Sequence, residues 1–258
     1  MLYFLSFIVR AMIAKGRRVL ITAYTNAAVD NLLLKLADAG VTPSFACRIG
    51  GISAIHPSLM GFTFPHGESV GCLTENWINM RIVATTVLSA SSKSYLRGSI
   101  IFDHGIVDEA GQVIVPAVLG PLLLVKSFCL VGDYYQLPPL VNSKDAIRKG
   151  MGESLFKCLA ESHPQAVVPL SCQYRMNTDI MSLCNALIYE HRLQCPNAVI
   201  ACNRLVIPKL DNLIDVETDN GIEAWVLHAL KPEHSVVLLN TDSLKGNKVN
   251  VHKLVIAF

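Results

Sequence analysis

Gly105-Ile-Val-Asp-Glu-Ala-Gly-Gln112 is a short apolar run that ends on two adjacent acids. A run this short, apolar without alternation, suits a strand buried on both faces. Three further runs repeat the arrangement. Val19-Leu-Ile-Thr22 leads into Tyr24-Thr25-Asn26, Ile82-Val-Ala84 into Thr85-Thr86, and Phe128-Cys-Leu-Val131 into Gly132-Asp133. In a parallel α/β sheet these polar tips collect at the carboxyl ends of the strands, the edge where ligands bind. Independent loops have no reason to repeat that pattern.

Helical signals lie between the runs. Val29, Leu32, Leu33 and Leu36 recur at i, i+3, i+4 and i+7, with Thr25 or Asn26 as the cap and Gly40 as the stop. Residues 1–15 read as a buried helix ending at Gly16. No basic segment precedes their apolar run, which falls short of the roughly 20 residues needed to span a bilayer, so no membrane partner is expected. Residues 43–79, broken by Gly50-Gly51, Pro57, Pro65 and Gly67, read as an irregular insertion at the edge of the sheet. A second unit begins near Gly150, which places the domains at 1–145 and 146–258. In it, Val167-Val168 is expected as a short strand, and Ile180, Leu183, Cys184, Leu187 and Ile188 as one helical face. Val236–Leu239 reads as another strand and Val249 onward as the start of a helix.

Composition narrows the class. Of 258 residues, 52% are hydrophobic and 16% charged, which excludes a disordered tail. A net charge of +2 is too small to announce a polyanion-binding surface, so any such groove must be local. The eight cysteines form no Cys-x-x-Cys pair, which argues for reduced thiols rather than a metal or iron–sulfur site.

The strand tips carry the chemistry. Nucleotide hydrolysis needs one carboxylate to hold Mg²⁺ and another to orient the attacking water, and Asp108-Glu109 supplies both because consecutive side chains diverge. The bland alternative is a helix-capping acidic turn. Asp133 and Gln136, between Gly132 and Pro138-Pro139, suit a relay that senses a terminal phosphate, or a plain turn. An arginine in Gln173-Tyr-Arg-Met176 suits a finger on a phosphate, or a surface turn. Thr25, Asn26, Thr85 and Thr86 offer hydroxyl and amide groups for phosphate oxygens of a single strand, or simple helix caps.

Taken in order, Tyr24-Thr-Asn-Ala-Ala-Val-Asp-Asn31, Val107-Asp-Glu-Ala-Gly-Gln112, Gly132-Asp-Tyr-Tyr-Gln-Leu-Pro-Pro139 and Gln173-Tyr-Arg-Met176 resemble the motifs of superfamily-1 helicases, in the branch containing the nonsense-transcript regulator. The connectors Gly120-Pro-Leu122, Gly150-Met-Gly-Glu-Ser-Leu-Phe-Lys157, Ile180-Met-Ser-Leu183 and Leu239-Asn-Thr-Asp242 resemble more closely the DNA-replication helicase/nucleases of that superfamily. The resemblance implies an α/β fold. A RecA-like parallel sheet with flanking helices, a P-loop NTPase fold lacking its P-loop, would be followed by an incomplete second RecA-like domain. It implies ATP and Mg²⁺, with Asp108 holding the metal through water and Glu109 activating the hydrolytic water. Gln112, Asp133, Gln136 and Tyr174 would contact the nucleotide, and Arg175 would be the finger. Thr25, Asn26, Thr85 and Thr86 would track single-stranded DNA.

The implied activity is 5′-to-3′ DNA unwinding in flap processing and double-strand-break repair. Its partners would be 5′ flaps, resected ends and a single-stranded-DNA-binding protein, and its compartment the nucleus, with the mitochondrion as a second. Alternatives are an RNA helicase of the nonsense-mediated-decay type and a non-catalytic single-strand-binding remnant. Departures also stand out. No Gly-x-x-x-x-Gly-Lys-[Ser/Thr] loop occurs, so the chain alone is expected to be inactive. The family's iron–sulfur cluster is expected only in a nuclease domain outside this chain. Tyr134 stands where relatives commonly carry His, and Gly111 where many carry Ser.

Overall fold

A computed structural model describes residues 1–63, 80–92, 101–206, 231–240 and 253–257. The chain divides into two compact units, Met1–Val167 and Val168–Phe258.

The first unit is built on five parallel strands. They are β1 (Val19–Ala23), β2 (Ala46–Ile49), β3 (Ile82–Thr86), β4 (Phe102–Asp108) and β5 (Val125–Leu130), in spatial order β2-β3-β1-β4-β5. Every residue of β1, β2 and β3 is buried, as continuous apolar runs require when helices cover both faces. α1 (Leu2–Ala14) and α2 (Asn26–Asp38) pack on one face around Val9, Ile21, Leu33, Ala84 and Ile106. On the other face, the tips of β3 and β4 meet α4 (Val115–Leu122) around Val87, Val107, Val113 and Val118. There α3 (Val87–Ser92) runs so close to α4 that only Gly120 fits opposite Ser91.

Several expectations need correction. The segment 43–79 is not wholly irregular, because Ala46–Ile49 joins the sheet as its edge strand. The tertiary pairing of Arg48 with Asp30 lets a charged residue sit in a buried strand. Residues 64–79 lie outside the described residues. α1 is not a buried helix: Leu5 and Val9 are covered, while Tyr3 and Phe7 are exposed. Apart from these corrections, residues 146–167 fall within the compact unit Met1–Val167. Its helix α6 (Leu155–Ser162) packs Leu155 and Phe156 against the Val107–Val113 cluster, after α5 (Lys144–Arg148).

The second unit is organised differently. Within residues 168–206 and 231–237 no hydrophobic side chain is fully buried. Polar groups hold it instead: buried Asn177 caps α7 (Thr178–Cys184) and donates to the Asn203 carbonyl at 3.0 Å, and buried Asn185 exchanges two hydrogen bonds with Leu193. Val167-Val168 forms no strand; it lies between Pro164 and Pro169, which remove ladder donors, and Val168 is exposed. The single face expected over 180–188 breaks after Cys184. There the helix widens to a π turn (Asn185–Tyr189) whose i→i+5 bonding changes the period and leaves Leu187 exposed. α8 (Ala198–Ala201) follows. β6 (Val236–Asn240) is the expected strand, but it pairs antiparallel with β7 (Lys253–Ala257), where a helix was expected. The Leu-Val-Ile run favours the pleated conformation.

Candidate nucleotide and nucleic-acid site

Register decides which side chains meet. Ala23 of β1 stands opposite Thr86 of β3 on one side and Asp108 of β4 on the other. The polar tips of three strands therefore end at one level. The fourth is fastened there by the backbone: Val131 N–H donates to the Val107 carbonyl at 2.8 Å, and Ala110 N–H to the Val131 carbonyl at 2.8 Å.

Asp108 and Glu109 diverge. Asp108 is buried at the strand end and accepts the Glu109 N–H at 3.0 Å, while Glu109 is exposed. Glu109 adopts φ 53° and ψ 37°, a left-handed turn that costs a non-glycine residue about 1 kcal/mol or more. That turn swings its carboxylate out of the strand line, within 3.4 Å of Gln112 Nε2. Burial raises the Asp108 pKa. The Glu109 N–H and the Met1 amino group pull it back.

The Asp133 loop arranges itself. Its carboxylate accepts Tyr135 N–H at 3.0 Å and Gln136 Nε2 at 2.9 Å, which holds the exposed Gln136 amide beside the acid. Tyr134 packs edge-on against Phe156, centroids 5.9 Å apart. Helix α6 thereby supports both the Ala110–Gln112 turn and this loop.

At the starts of the helices, Thr25 Oγ1 accepts Ala28 N–H at 3.2 Å and Thr86 Oγ1 accepts Ser89 N–H at 3.3 Å. Both threonines are N-caps. A hydroxyl that accepts still has its own proton to donate, so capping and phosphate contact are compatible. Thr85 is different: it was expected among the strand-tracking residues, yet its side chain is fully buried and its hydroxyl has no hydrogen-bond partner among the described residues. Thr86, the next residue of β3, is also buried, but its hydroxyl is engaged at the start of the following helix. The Thr85 hydroxyl cannot reach a bound strand without rearrangement.

In the second unit Gln173 shapes the loop that bears its neighbours. Its Oε1 accepts Arg175 N–H at 2.9 Å and Met176 N–H at 2.7 Å, and its Nε2 donates to the Met176 carbonyl at 2.7 Å. Tyr174 and Arg175 are left exposed, and among the described residues the Arg175 guanidinium makes no ion pair.

The donor set suits a magnesium ion. Mg²⁺ takes one or two carboxylates and fills its shell with phosphate oxygens and water, and a desolvated carboxylate such as Asp108 gains from a cation nearby. The residues present fit that ion and the terminal end of a polyphosphate. They do not furnish a glycine-rich cradle for the whole of it.

The chain resembles known proteins along most of its length. Two families, each described as AAA domain, match this chain, one over residues 72–144 and the other over residues 151–255. The DNA replication ATP-dependent helicase/nuclease of Schizosaccharomyces pombe is 38% identical over 245 residues, covering 94% of this chain and 17% of its own length. The proteins of that description in Arabidopsis thaliana and Homo sapiens are each 41% identical across 92% of this chain, which spans 17% and 23% of them. Over more than nine-tenths of its length the chain is similar to DNA replication ATP-dependent helicase/nucleases. It spans about a fifth of the length of these relatives.

Proposed function

We propose that this chain supplies the nucleotide-facing and strand-facing rim of a motor that couples ATP hydrolysis to 5′-to-3′ movement on single-stranded DNA. The observation that carries the reading is the buried Asp108 beside exposed Glu109, level with Thr86 at one sheet edge. In it, Asp108 would help to hold Mg²⁺, and Glu109 would take a proton from the water that attacks the γ-phosphate. Bound Mg²⁺ would neutralise charge on the leaving phosphates. Gln136, oriented by Asp133, senses the terminal phosphate, and Gln112 holds Glu109 in place. A second RecA-like domain begins within residues 146–258, and in it Tyr174 contacts the nucleotide and Arg175 stabilises the transition-state charge. Thr25, Asn26 and Thr86 follow the DNA backbone.

The names of the relatives support DNA replication as the setting. We further infer, from the resemblance of the motifs alone, flap processing and break repair with 5′ flaps, resected ends and a single-stranded-DNA-binding protein as partners, in the nucleus with a mitochondrial share. The iron–sulfur cluster belongs, on this reading, to the nuclease part of such proteins.

Anisotropy of labelled single-stranded DNA and RNA tests the assignment. Binding to DNA is expected without ATP and should weaken steeply with salt. A strict preference for RNA overturns the DNA reading. With no glycine-rich loop in its sequence, the chain alone is expected to show no DNA-stimulated ATP hydrolysis. Turnover that disappears with Glu109→Gln contradicts that expectation.

A further inference from the structure

We propose that Arg48 and Asp30 are positioning residues for the DNA strand: their buried pair fixes the Asn26 amide as a donor-only tip for phosphodiester oxygens. The inference rests on reading the carboxyl edge as the strand path.

Asn26 and Asp30 stand one turn apart at the start of α2, and Arg48 reaches both from the edge strand β2. Arg48 Nε donates to Asp30 Oδ1 at 2.6 Å and Nη2 to Asn26 Oδ1 at 2.8 Å; Nη1 donates to the Ile49 carbonyl. The other Asp30 oxygen accepts His56 N–H at 2.8 Å. The Arg48 side chain is 0% exposed and Asp30 7%. Such a pair is a poor way to stabilise a core, since desolvation offsets most of its attraction and apolar residues of similar volume would serve as well. Its geometry has another consequence. A guanidinium has no acceptor, so the amide atom facing it must be the oxygen. Nδ2 is then turned away from Arg48, and among the described residues it donates to no protein acceptor. Asn26 is only half-buried, and it begins a helix whose first N–H groups also seek acceptors. A tip that can only donate suits phosphate oxygens and does not discriminate between bases. Gly50 keeps the arrangement in place, because a β-carbon there would stand 3.0 Å from Arg48 Nη1.

The test is a double-mutant cycle on the full 258-residue chain, read by anisotropy of labelled oligo(dT) with thermal denaturation in parallel. Asn26→Asp keeps the bond to Arg48 and favours the helix start, but it replaces the donor with an anion. Affinity is expected to fall roughly tenfold at unchanged melting temperature, and equally for a strand of abasic sites. Arg48→Lys has one point donor and cannot serve both Asp30 and Asn26. It should weaken binding several-fold alone and add nothing in an Asn26→Ala background. If the parent chain does not bind, or Asn26→Ala and Asn26→Asp bind as tightly as it does, the strand-path reading fails and takes this inference with it. If Asn26→Ala weakens binding and Arg48→Lys adds its full effect on top, only the positioning role is overturned. Should Arg48→Lys not fold, Gly50→Ala displaces Nη1 and takes its place in the cycle under the same criteria.

Discussion

A β-carbon placed on Gly111 would stand 3.0 Å from the carbonyl oxygen of Asp133. The contact is reciprocal, since one on Gly132 would lie 3.1 Å from the Ala110 nitrogen and 3.2 Å from that of Gly111. Two turns that carry Glu109, Gln112, Asp133 and Gln136 thus meet backbone to backbone, with a glycine on each side.

Gly111→Ala is expected to separate these turns by a few tenths of an ångström and cost about 1–2 kcal/mol, read from urea unfolding. Gly111→Ser, the residue expected there from the family resemblance, should do the same here. An unchanged midpoint for both would show that the Asp133 loop yields freely.

Asp108 titrates in the destabilising direction. Burial raises its folded pKa, so the folded chain binds more protons than the unfolded one, and stability falls as pH rises through that pKa. Asp108→Asn should therefore raise the melting temperature at neutral pH, and the gain should fade as pH falls below the unfolded carboxylate's pKa. A melting temperature that drops at pH 7 would contradict this.

Gly120 sets the approach of α3 and α4. A β-carbon there would come 1.9 Å from Ser91 Oγ and 2.7 Å from Ser91 Cβ. Glycine to alanine inside a helix normally stabilises by about 1 kcal/mol. Gly120→Ala should reverse that sign, and Ser91→Gly in the same chain should recover most of the loss. Denaturant midpoints of the two single variants and the double variant decide it.

Gln173 and Arg175 should separate cleanly. Gln173→Ala removes the side chain that shapes the loop and is expected to cost roughly 2 kcal/mol. Arg175→Ala should change stability by no more than about 0.5 kcal/mol, as for an exposed side chain outside any network. Equal losses would mean that Arg175 is structural.

Much of the first unit was legible because its signals are local. Apolar runs followed by polar tips announced four of the five strands. The i, i+3, i+4, i+7 spacing announced α2, and Thr25 does cap it. The edge strand β2 escaped because Ala46-Cys-Arg-Ile49 carries a charge whose partner lies 18 residues away in another element. The Gln173 loop was visible as a motif, but nothing in its spacing told which member shapes the backbone and which stays exposed.

The sequence by itself determined a parallel sheet with its chemistry at one edge, because periodicity and strand-end composition follow from burial along a single element. Only the tertiary structure decided which tip residues face outward, that Thr85 turns inward, that α6 supports the Glu109 turn, and that Arg48 faces Asn26. Those outcomes depend on register and on close approach between elements far apart in the chain, and no local pattern encodes either.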